Sequence, residues 1–184
     1  SAETPESEEP ESGAPSSASL AAFDDALTPR DVVAFWREAG AKRWFAKDEG
    51  FDRDIRDRFE ALHHSAARGE LDDWSEDPVG ALALLLLLDQ FPRNLYRGSA
   101  HAFATDPLAR QVAGRAVEQG FDREAPEDLR VFFYLPFEHS VDARDQAMSV
   151  FLIGATGEDS LVHWAQLHAD IIERFGRFPH RNAA

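Results

Sequence analysis

Two segments of the sequence, LLLLLDQFPRN at residues 84–94 and ADIIERFGRFPHRN at 169–182, hold side chains suited to polar chemistry. The first supplies Asp89, Gln90, Arg93 and Asn94; the second supplies Arg174, Arg177, His180, Arg181 and Asn182. Fork-shaped guanidinium groups beside amides and imidazoles would hold a carboxylate or phosphate if the two corners met. The competing reading is that these residues cap helices. Arginine and histidine are favourable near helix C-termini, and asparagine tolerates a left-handed turn.

Asp89 is the first polar residue after five leucines. Read as the end of its helix, a carboxylate there opposes the dipole at a cost of up to about 1 kcal/mol unless a cation joins it. Arg93 is near enough to do so, which makes Asp89 either half of an ion pair or a ligand-orienting acid or base. A helix predicted over 137–154 puts His139, Ala143, Gln146 and Val150 on one face at i, i+4, i+7 and i+11. His168 falls on another apolar stripe, with Leu161, Trp164, Ala165, Ile172 and Phe175. Each imidazole is then either a hydrogen-bonded core residue or a general base. The candidate site comprises His139 and His168 for catalysis. Asp89, Gln90, Arg93, Asn94, Gln146, Arg177, His180, Arg181 and Asn182 are the candidates for ligand binding.

No metal or cofactor is expected. The sequence has no H-E-x-x-H and no recurring E-x-x-H pair, and His63 and His64 are adjacent and diverge. A site from His139, His168 and His180 with Asp89 or Glu138 is not required by any spacing. There is no G-x-S-x-G elbow and no glycine-rich phosphate loop. Cysteine is absent, which excludes disulfides and thiol nucleophiles and suits the cytoplasm.

These side chains need a scaffold, and the punctuation of the chain is helical. Thr28-Pro29 opens a helix that ends at Gly40, and a second runs over about 52–68 to Gly69. Asp77-Pro78 and Asp106-Pro107 open two more, the latter ending at Gly120. A short helix follows Pro126 until Pro136 interrupts it, and the last runs from Asp159 or Ser160 to Gly176. No strand pattern is sustained. The apolar run 79–88 is half the roughly 20 residues a membrane helix needs, so it reads as a buried core helix.

Residues 1–22 hold five Glu, no Lys or Arg, and many Ser and Pro, the composition of a disordered acidic tail. Residues 23–184 then form a single all-α domain, and the N-terminus has no signal-peptide pattern. With 43% apolar residues, 11% aromatics and 14 Phe, this domain can build a core without staples. The net charge of −15, with Lys42 and Lys47 the only lysines, makes nucleic acid and anionic membrane unfavourable partners. The expected partner is a small anionic molecule or a peptide.

The segments WFAKDEGFDRDIRDRF, GALALLLLLDQFPRNLYRGSAHAFATD, FFYLPFEHS and HADIIERFGRFPHRN together resemble a bacterial family known as domain of unknown function 924, over about residues 28–184. The resemblance implies an all-α fold of antiparallel helical hairpins stacked in a tetratricopeptide-like right-handed superhelix, with no sheet. It also implies a further segment after Ala184, and it carries no established activity. Three functions are weighed. The first, and the one expected, is a binding module with a polar Arg/His/Asn-lined pocket for a small anionic ligand or peptide. The second is a small hydrolase or lyase using His139 or His168 as general base, and the third is a purely structural polar network.

Overall fold

In the computed structural model the described residues are 26–183, with side chains as far as Arg181. The tail expected over 1–22 lies outside them. Every regular element among the described residues is helical, and none is a strand. No described helix is long and apolar enough to cross a membrane.

Helix α1 (Pro29–Ala39) starts as its sequence dictates. Thr28 caps it, with Oγ1 accepting from the Asp31 amide at 3.3 Å while the Asp31 carboxylate accepts from the Thr28 amide at 2.7 Å. A single turn, α2 (Ala41–Trp44), sends the Trp44 indole back to donate to the Trp36 carbonyl at 2.6 Å. Helix α3 (Glu49–Ala67) begins three residues earlier than Asp52, because Asp48 supplies the cap by accepting from the Phe51 amide at 3.0 Å.

The centre of the fold is α4, residues 78–95. It packs against α1, α3 and α5 (Asp106–Glu118). All of 80–92 is buried, so the helix has no polar face and must sit inside the protein. Phe91 meets Trp36, Phe35 and Phe59 in an aromatic cluster that ties α4 to α1 and α3.

Within α4 the backbone widens. Residues Leu86–Gln90 form a π turn in which the Phe91 amide donates to the Leu86 carbonyl. The next residue is Pro92, which has no amide hydrogen to give to Leu88. Two carbonyls are thereby released from α-helical pairing in a dry interior, and other side chains take them. Leu87 accepts from His63 Nδ1 at 2.7 Å, and Leu88 accepts from Thr105 Oγ1 at 2.6 Å. The expected helix end at Asp89 is therefore corrected: the chain turns helically on to Leu95, and Asp89 sits inside the helix.

After α6 (Phe121–Glu124), the segment Glu127–Phe133 is a 3-10 helix leading into a single turn, α7 (Leu135–Glu138). The continuous helix predicted over 137–154 is not formed. It breaks at residues 139–142 and restarts as α8 (Ala143–Gly154), capped by Asp142, whose carboxylate accepts from the Arg144 amide at 2.7 Å. Helix α9 (Asp159–Phe175) packs along α8 and ends at Gly176, whose φ of 67° favours glycine. A final 3-10 turn, Pro179–Ala183, follows.

Two measurements test this core. Gly80 faces the Trp74 carbonyl so closely that an added methyl would overlap it. Gly80→Ala should therefore destabilise by about 1–3 kcal/mol in urea titration, despite alanine's better helix propensity. Burial pushes the His63 pKa below its ordinary 6.5, with the neighbouring His64 and His101 adding to the effect and the bond to Leu87 opposing it. The unfolded chain then takes up the proton first as pH falls. The stability His63 contributes is complete above pH 6.5 and is lost as pH drops through the folded value. Urea midpoints of wild type relative to His63→Gln should fall progressively from pH 7 to pH 5.

Candidate functional site

Asp89 and Gln90 both lie buried in the π turn, where Gln90 Nε2 donates to Asp89 Oδ2 at 2.8 Å. The other carboxylate oxygen, Oδ1, receives His139 Nδ1 at 2.8 Å and Arg93 Nη1 at 3.3 Å. Burial by itself would raise the Asp89 pKa. The charges of His139 and Arg93, with the hydrogen bonds from His139 and Gln90, overcome that and hold it below the ordinary 3.8. An ionised carboxylate only accepts, so Nδ1 of His139 carries its proton. In the neutral ring Nε2 is then the basic nitrogen, and it has no hydrogen-bond partner among the described residues.

Arg93 is the hub behind this pair. Its Nη1 and Nη2 donate to Asp106 Oδ1 and Oδ2 at 2.9 and 3.0 Å, and Nη1 also reaches the Asp89 carbonyl at 2.6 Å. Arg181 comes from the far end of the chain to donate to the His139 carbonyl at 3.0 Å, with the same Nη1 3.8 Å from Asp106 Oδ2. The Phe103 ring lies 5.3 Å from the Arg93 guanidinium and 4.7 Å from that of Arg181. The two sequence corners thus meet at Asp106 and His139.

A cleft of about 770 Å³ opens beside this network. Gln90, Arg93, Asn94, Glu138, His139 and His168 line its polar wall, and Trp44, Phe45, Leu161 and Trp164 contribute apolar surface. Glu138 and His168 form a second carboxylate–imidazole pair, with Oε1 and Nδ1 3.2 Å apart. The alignment makes no hydrogen bond, so both atoms are buried without a hydrogen-bond partner.

The other candidates scatter. Asn94 lines the cleft but donates to Asp52 Oδ1 at 2.9 Å. Gln146 is buried and spends its amide on the Glu138 and Ser140 carbonyls, both at 2.6 Å, so it secures the 139–142 break. Arg177 and His180 are exposed and are not in the cleft wall. The Asn182 side chain lies outside the described residues. His139 reaches the cleft as the residue that caps α7, not as part of a long helical face. Asp106 is missing from the sequence-based set because Asp-Pro at a helix start reads as a cap. Here Thr105 is the capping residue, and the Asp106 carboxylate is buried against Arg93. Glu138 is missing from that set as well. The Phe-Glu-His order around it carries no signal beyond that of an ordinary helical turn.

These features define an all-helical protein with two carboxylate–imidazole pairs on one cleft. The chain belongs to the family described as bacterial protein of unknown function (DUF924), whose model matches residues 32–184. Its fold is similar to a solved structure titled "Structure of Protein of Unknown Function ATU0120 from Agrobacterium tumefaciens". The identity is 52%, the TM-score is 0.82, and 89% of each chain is covered. No curated protein matches the chain.

The buried ion network makes a direct prediction. Arg93→Met would leave Asp89 and Asp106 without their shared cation and should cost about 3–5 kcal/mol, read as a lowered urea midpoint at pH 7.

Proposed function

We propose that the protein is a small enzyme of hydrolase or lyase type in which His139 is the general base. The observation that carries this is the hydrogen bond from His139 Nδ1 to the buried Asp89 carboxylate, which leaves Nε2 unpartnered on a residue that lines the cleft. Asp89 fixes the tautomer and ring orientation and stabilises the imidazolium that forms on proton transfer. Nε2 takes a proton from water or from a substrate O–H or C–H group held in the cleft, a step worth about 10²–10⁴-fold in rate. Gln90 and Arg93 hold Asp89 in turn, so the carboxylate that orients the base is fixed on a helix.

The binding-module reading relies on arginines that could meet an anion. Arg93 and Arg181 already face Asp106, and Arg177 is outside the cleft, so the general-base reading has the stronger geometric support. The purely structural reading accounts for Arg93, Asp106 and Gln146, but it gives no role to the unpartnered Nε2 of His139. The tetratricopeptide-like stacking implied by the family resemblance and a cytoplasmic location belong to the same proposal. The α8–α9 hairpin supports the stacking, and the lack of cysteine supports the location.

The test has two parts. Long-range ¹H–¹⁵N spectra should assign the Nδ1–H tautomer to neutral His139, and Asp89→Asn should weaken that preference. Once a panel of chromogenic esters, amides and phosphoesters yields a substrate, His139→Gln should lower kcat by about 10²–10⁴-fold and leave KM within a few fold. A fully active His139→Gln variant would remove His139 from the role.

A further inference from the structure

The buried carboxylates beside the cleft are not partnered alike. Arg93 is held by Asp89 and Asp106 and also feels Glu138, while Arg181 feels Asp106 and Asp89. Asp89 and Asp106 take the close arginine contacts, whereas Glu138 has no such contact and only the His168 imidazole, 3.2 Å away. Glu138 is only 3% exposed. Its Oε1 is buried without a hydrogen-bond partner among the described residues, although the residue lines the cleft. A carboxylate this buried needs a positive partner or a donor, and His168 at 3.2 Å is misaligned to donate.

On the rest of the wall Arg37 is paired with Asp128, and Arg97 with Asp52 at 2.7 Å. Glu127 and Glu158 also line the cleft and form no ion pair among the described residues. Three aromatic side chains, Trp44, Phe45 and Trp164, complete the wall, and Phe45 and Trp164 are more than half exposed. Aromatic faces beside carboxylates are what an organic cation requires, since the ring quadrupole and the carboxylate attract the same charge.

We propose that the cleft takes an organic cation, an ammonium- or guanidinium-bearing small molecule, with its charged head on Glu138 and its apolar part against Trp44, Phe45 and Trp164. This rests on the cleft identified above as the site and names the substrate class for it. It replaces the anion expected from the arginine-rich corners, because Arg93 is engaged by Asp89 and Asp106 and Arg177 is not in the cleft wall.

Phenethylamine, cationic at pH 7, and phenylacetate, its anionic counterpart of similar shape, are the probes. Calorimetric titration of the full chain should give at least tenfold tighter binding of phenethylamine, with an affinity that falls as salt is raised. Glu138→Gln should reduce that affinity at least tenfold, and Trp164→Ala should reduce it several fold. His139→Gln should leave it within a few fold, so that loss of turnover without loss of amine binding separates the general-base role from cation recognition. Equal or tighter binding of phenylacetate, in wild type alone, would overturn the proposal even if Glu138→Gln fails to fold. Unchanged phenethylamine affinity in a folded Glu138→Gln protein would overturn it as well.

Discussion

Pro92 lies in the most buried helix of the protein and cannot donate a backbone hydrogen bond there. In a dry core a released carbonyl costs about as much as a lost hydrogen bond, so the surrounding elements must supply donors. The π turn over Leu86–Gln90, His63 from α3 and Thr105 at the start of α5 together answer that requirement. The positions of three helices are thus tied to one imide nitrogen. Asp89 and Gln90 lie within that turn, and the Gln90 amide donates to the Asp89 carboxylate there. π turns inside helices are frequent at functional sites.

Around that turn the electrostatics run from closed to open. Asp106, Arg93 and Asp89 form a chain in which each charge has partners, and such a chain is rigid because breaking any link strands a buried ion. His139 ends this chain and Glu138 stands beside it, both on the cleft wall. Their side chains are paired on one side and unspent on the other. These neighbours in sequence face different partners, Asp89 for His139 and His168 for Glu138, as adjacent residues at a helix end do. Gln146 and the Ser140–Asp145 hydrogen bond of 2.6 Å hold the 139–142 break between α7 and α8 in place.

Much of the helical outline was legible in the sequence, because caps and stops are local. Thr28-Pro29, Asp77-Pro78 and Gly176 mark real boundaries, and the leucine run reads correctly as a buried helix. The errors came where a local signal had two readings. Pro92 reads as a terminator yet lies within a helix whose packing outweighs its cost. The 137–154 segment has helical periodicity throughout, and Ser140 and Asp142 turn it with their own side-chain hydrogen bonds. Residue types at the site were found more readily than pairings. Asp89, His139 and His168 stood out as polar residues in apolar contexts, whereas Asp106 and Glu138 were concealed in ordinary helix starts and turns.

The sequence by itself determined an all-helical domain, the buried leucine helix and a set of polar residues that could not be ordinary surface. Tertiary structure decided which charges cancel. An arginine's availability depends on the carboxylates within about 4 Å of it in space, and Arg93 finds Asp106 across a turn while Arg181 comes 3.8 Å from it from the other end of the chain. Sequence spacing shows only local charge, so the corners looked like an anion site. The folded chain spends Arg93 on Asp89 and Asp106, leaves Arg177 exposed away from the cleft wall, and sets an imidazole and a carboxylate on that wall.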